Sequence, residues 1–246
     1  MRIGGKQRLD AVELEGTKRG LDFKSAITSP ADTIYVGLAG GSDPASIAVR
    51  HAQSFLRFDR RPSYFSHVFL FTGQGDGILE CRVVGADPTR PETLGIARDR
   101  ARRYASDEDW PNKAVIGFTF LPSRGGQAPA ERQAKVLAAA KDSKAVRERY
   151  DLWKMVAGWQ PYLFEPNRTA NPLAERMPHP GAAYVRWALS AAGVEAAPSA
   201  LDEFDAPEHF WASAYYWHRQ YADPSVGVNV TLVRDIRDKA GAVSAA

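Results

Sequence analysis

Residues 64–71 read YFSHVFLF, and residues 77–85 read GILECRVVG. Both stretches are rich in aromatic and β-branched side chains, which suit a pleated, half-buried surface. Between them lies Thr72-Gly73-Gln74-Gly75-Asp76, a glycine-rich turn. The two stretches therefore read as a β-hairpin. Side chains alternate faces along a strand. With an even loop, His67 and Glu80 share one face, opposite each other or one pair apart, and Cys81 takes the other face. A carboxylate beside an imidazole fixes its tautomer and favours its charged form, which is how a catalytic base is oriented. The same two residues also read as ordinary neighbours on a strand pair.

Outward from the hairpin, DTIYVGLA (32–39) predicts a strand, and Asp43-Pro44 opens a helix over 44–57. A polar helix is expected over 92–105, and KAVIGFTFLP (113–122) reads as a further strand. Two helices are expected over 129–142 and 144–158, followed by a long proline- and asparagine-rich loop over 159–180. GAAYVRWALSAAG (181–193) reads as a helix that Gly193 ends. An aromatic helix follows over 208–221, and GVNVTLVRDI (227–236) is the last strand. Residues 1–30 read as an irregular arm that includes a candidate strand at AVELEGT, and 237–246 as a frayed tail. Residues 31–236 carry no clean linker, which favours a single α+β domain.

The 246 residues are 44% hydrophobic and 25% charged, enough apolar material for a real core. Thirty-two basic residues nearly balance twenty-nine acidic ones, for a net charge of +3, so no strong field points to nucleic acid. The densest basic run, RDRARRY at 98–104, is followed at once by SDEDW and reads as a solvated helix face. One cysteine supports neither an internal disulfide nor a thiolate-rich metal site. His209 and His218 lack the i, i+4 spacing of a helical zinc pair, so no metal or cofactor is expected. The start has no apolar signal-peptide core, and no run is apolar enough to span a membrane. The expected location is the cytoplasm, or outside it by a route without a cleaved signal.

The order of these elements resembles the circularly permuted NlpC-type papain-like proteins. These include the YiiX-like hydrolases and, more distantly, the lecithin:retinol acyltransferase-like enzymes. In that family a histidine opens the second core strand, a polar residue stands on the next, and the nucleophilic cysteine begins a late helix. His67 matches the histidine and Glu80 the polar residue; KAVIGFTFLP matches the next strand, and Tyr150-Asp151 a pair that precedes the cysteine helix. The late helix matches GAAYVRWAL (181–189), which puts Gly181, or with a slip Ala182 or Ala183, at the cysteine position. None carries a nucleophilic atom. The resemblance implies a permuted papain-like fold, a central antiparallel sheet packed against helices, with a remnant base at His67 and its orienting residue at Glu80.

Cys81 follows Glu80 directly and is expected to face away from the site as a small core hydrophobe. Ser190 lies too far along its helix, and strand alternation turns Ser66 away from His67. His179 reads as a loop or capping residue, and the aromatic helix as core. The resulting expectation is a catalytically inactive module that binds a peptide, an acylated ligand or a protein partner, by itself or as a component of a larger assembly. Two alternatives stand beside it. One is a cysteine amidase or acyl hydrolase whose nucleophile at 181–183 was replaced by substitution. The other is a structural protein with a relic site.

Overall fold

The computed structural model describes residues 32–72, 77–81, 96–120, 127–142, 152–196, 204–220 and 228–236. The expected arm and its strand, the hairpin turn, Tyr150-Asp151 and the tail lie outside these. The described strands are β1 (Thr33–Gly40), β2 (His67–Phe71), β3 (Gly77–Cys81), β4 (Ile96–Arg100), β5 (Asn112–Phe120) and β6 (Val228–Ile236). The helices are α1 (Pro44–Ala52), α2 (Pro129–Lys141), α3 (Leu152–Phe164), α4 (Pro180–Ser190) and α5 (Pro207–Gln220). The strands form one six-stranded antiparallel sheet in the order β4-β3-β2-β1-β5-β6. The class is α+β, with helices packed against a central antiparallel sheet. None of the described helices is long and apolar enough to cross a membrane.

Both faces of the sheet bury apolar side chains. On one, Val36, Leu38, Val68, Leu70, Leu79, Cys81 and Ile116 pack against α2, α4 and α5 through Val136, Val185, Leu189 and Phe210. On the other, Tyr35, Phe69, Phe71, Ile78 and Val115 are covered by Ala101, Tyr104 and Trp110. Gly37 pairs with Phe69 across β1 and β2, and a Cβ there would come within 2.1 Å of the Phe69 ring. Its lack of a side chain is what lets that ring lie over β1. A third cluster joins α1 to α3 through Val49, Ala52, Trp159, Tyr162 and Leu163.

Two expectations are corrected. Of the polar helix expected over 92–105, the described residues form β4 at Ile96–Arg100 and a 3-10 turn at Ala101–Tyr104 instead, and 92–95 lie outside the described residues. Pairing along the whole of β3 overrides the local preference of IARDR for helix. The long loop expected from 159 begins only after Phe164, because α3 continues through Pro161. Trp159, Tyr162 and Leu163 fall on one helical face and bury it against α1. That gain outweighs the one backbone hydrogen bond a proline removes.

Candidate functional site

The β2–β3 register pairs Leu70 with Leu79 and Phe71 with Ile78. Continued, it sets Glu80 opposite Phe69 and His67 one pair further on. His67 and Glu80 therefore share a face, and Cys81 takes the other. Between them stands Tyr104, fully buried. Its hydroxyl donates to the Glu80 carboxylate. Its ring stacks on Phe69 at 4.8 Å and lies 5.9 Å from the His67 ring. Sequence reading missed Tyr104 because its segment was assigned to a helix. The paired turn brings it back over the sheet.

The His67 Nδ1 lies 2.8 Å from the Ser66 hydroxyl. That oxygen also accepts the Gly41 N–H and lies 3.4 Å from the Ala39 carbonyl. The expectation that Ser66 faces away is therefore wrong. Ser66 precedes β2, so strand alternation does not govern it. At 1% exposure and with these partners, its oxygen is a tether for the imidazole and offers no open nucleophile. Trp110 stands edge-on to His67 at 4.9 Å.

The segment bearing Trp110 is fastened at two points. Lys113 Nζ donates to Asp107 and to the Ala105 carbonyl, and Ser42 donates to the carbonyls of Glu108 and Asp109. Asp43 caps α1 by accepting the Ser46 N–H at 2.9 Å. Burial alone would raise its carboxyl. The contacts with Ser46, and then the charge of His67, outweigh burial and hold it below the usual range.

Gly181, Ala182 and Ala183 lie at the start of α4, all buried. Ala182 and Ala183 belong to the cluster that contains Cys81 and Val68. The helix start thus meets the hairpin from the side opposite the His67 side chain. A Cβ at Gly181 would fall 2.9 Å from the Cys81 carbonyl oxygen and 3.3 Å from that of Val68. These are backbone atoms of paired strands and cannot turn aside. Gly181→Ala gains up to about 1 kcal/mol of helix propensity, but overpacking against the sheet costs about 1–3 kcal/mol. The expected net result is a lower urea midpoint; a higher one would show that the hairpin yields. Gly181→Cys carries the same Cβ and meets the same obstacle.

His179 caps this helix start. Its Nδ1 is buried without a hydrogen-bond partner among the described residues, and its ring meets the edge of Trp159 at 5.4 Å. Burial, with the charge of His67 adding to it, pushes the imidazole down to about 3. His209 is pushed down to about 4 by burial and then by Arg186. The His218 side chain is outside the described set. Both folded values lie below the ordinary 6.5, so the unfolded chain binds more protons in this range. The stability due to neutral His179 and His209 is complete above pH 6.5 and falls as the pH drops towards 3 to 4. Roughly 1–2 kcal/mol should be lost from each by pH 5. The buried Glu208, whose carboxyl is raised, opposes this in part. Urea midpoints should fall between pH 7 and 5, and His179→Asn should flatten the slope. A midpoint independent of pH in that range would contradict the burial of neutral imidazoles.

Cys81 is 3% exposed and packs among apolar side chains. Burial, and then the neighbouring Glu80 charge, pushes its thiol up to about 12. No group of three metal-ligating side chains occurs among the described residues. The arrangement thus offers a tethered imidazole, a carboxylate held by a tyrosine, and an aromatic cover, with the chain's one thiol on the far side of the sheet. No family model matches the chain, and no curated protein or solved structure does.

Proposed function

We propose that this chain is a non-catalytic module of the permuted papain-like kind, and that it works by binding a peptide, an acylated ligand or a protein partner. The observation that carries the reading is the position of Cys81. The one sulfur nucleophile of the chain is buried on the helix side of the sheet, and His67 is on the other side. Covalent thiol catalysis needs the nucleophile within hydrogen-bond reach of its base. The order of strand, helix, histidine strand, glutamate strand and late helix supports the family resemblance, and the start of the late helix, which meets the hairpin on the side opposite the His67 side chain, departs from it. The crowding at Gly181 weighs against a cysteine there having been replaced by substitution.

The test is a panel of peptide, amide and thioester substrates given to the wild-type chain and to Cys81→Ala. The expected result is no thiol-dependent turnover. Any residual rate should stay within the roughly 10²–10⁴-fold that a positioned base alone supplies, and should be equal in the two proteins. Turnover that Cys81→Ala abolishes would overturn the proposal.

A further inference from the structure

His67 is 9% exposed, and an aromatic side chain covers it. The Trp110 indole stands edge-on to the His67 ring at 4.9 Å and to the Tyr104 ring at 4.7 Å. Trp110 belongs to residues 105–111, which join the 3-10 turn to β5. Both ends of this segment are fixed. Tyr104 is fully buried at one end. At the other, Asn112 is buried and its side-chain amide donates to the Tyr64 carbonyl at 3.1 Å.

Between these ends the segment is lightly held. Ala105, Ser106, Asp107, Glu108 and Asp109 are all exposed, and Trp110 is the large apolar side chain that the segment packs on the sheet. The segment closes on itself as a short turn. The Asp109 N–H donates to the Ser106 hydroxyl and the Trp110 N–H to the Ser106 carbonyl. Polar contacts fasten this turn to its neighbours. The Ser42 N–H donates to the Asp109 carbonyl at 2.9 Å, and the Ser42 hydroxyl reaches the Glu108 and Asp109 carbonyls at 3.0 and 3.2 Å. Lys113 Nζ holds Asp107 at 2.7 Å. The Ser42 side-chain contacts are exposed, so water competes for them and their net contribution is small. Few buried apolar contacts and solvent-exposed hydrogen bonds mark a segment that opens without global unfolding.

We infer that residues 105–110 form a lid over His67, with Trp110 as its plug and Ser42 as its latch. Lifting the turn between Ala105 and Pro111 withdraws the indole and bares His67 and Tyr104. A ring as buried as His67 meets no ligand while the turn is down, so access to it is gated by this motion. The role as a gate rests on the proposed binding function; the opening itself does not.

The experiment is acylation of the full chain by diethyl pyrocarbonate, followed histidine by histidine through peptide masses. Two other histidines bound the scale. His51 is exposed and reports free access, while His179 is buried at the start of α4 and reports global unfolding. His67 should react about tenfold or more slower than His51, and about tenfold or more faster than His179, as local opening requires. Ser42→Ala should speed His67 about three- to tenfold, the weight of one hydrogen bond. It should leave the rates of His51 and His179 and the thermal midpoint unchanged. Trp110→Ala should bring His67 close to the rate of His51. A His67 as slow as His179 would mean that only global unfolding uncovers it, and a His67 as fast as His51 would mean that no lid covers it. Either result overturns the inference, and so does a Ser42→Ala variant whose His67 reacts as in the wild type. Thiol-dependent turnover in the substrate panel would overturn the binding function and leave these rates as they are.

Discussion

In the folded protein, Cys81 should react with a small disulfide reagent about a thousandfold more slowly than in the unfolded chain, or more slowly still. Two effects act together. The thiolate is the reacting species, and burial pushes the thiol from its ordinary value of 9.0 up to about 12. That leaves about 10³-fold fewer thiolates at neutral pH. Access is also closed, because the sulfur is packed between the β2–β3 hairpin and the start of α4. With one cysteine in the chain, the colour released by the reagent reports on this site alone. A native rate within tenfold of the unfolded rate would mean an open, activated thiol, and the site would have to be reassigned around it.

Arg57→Ala should cost about 3–5 kcal/mol, as expected when one partner of a buried ion pair is removed. The guanidinium is almost wholly buried and bonds Asp59 twice and Glu208 at 3.2 Å, while lying 4.9 Å over the Tyr64 ring. Glu208 is buried too; its other carboxylate oxygen accepts from Ser63, and its backbone N–H donates to Gln53. The network fastens the start of α5 to the segment that leads into His67. Without Arg57 the Glu208 charge keeps only the Ser63 hydroxyl. Burial already raises its carboxyl, with Arg57 pulling it back down, so losing Arg57 raises it further. The deficit should shrink at lower pH, as Glu208 takes up a proton. Replacing both partners, with Arg57→Met and Glu208→Leu, should recover much of the loss, because no deeply buried charge is then stranded; Asp59 is partly exposed and keeps the Arg61 N–H. A loss under about 1 kcal/mol for Arg57→Ala would place the pair among weak surface bridges.

The parts of this molecule that were legible in the sequence are those governed by local periodicity. The aromatic and β-branched runs gave the strands, and a period of two set His67 and Glu80 on one face with Cys81 on the other. The parts that were not legible depend on partners distant in sequence. Arg98 to Tyr104 carries helix-favouring residues, yet pairing with β3 makes its first part a strand and sets Tyr104 over Glu80. Ser66 reaches His67 only because β2 begins one residue later than it. Arg57 and Glu208 are separated by 151 residues, and nothing local to either marks the other. The crowding at Gly181 is equally silent in a sequence, where a glycine at a helix start reads as a merely small residue.

The central claim is that no thiol of this chain performs covalent catalysis beside His67. The most direct measurement is the intact mass of the folded protein after incubation with activated acyl thioesters and esters, followed by a hydroxylamine chase. The predicted result is the unmodified mass at every time point. One acyl group per chain, mapped to Cys81 and released by hydroxylamine, would contradict it.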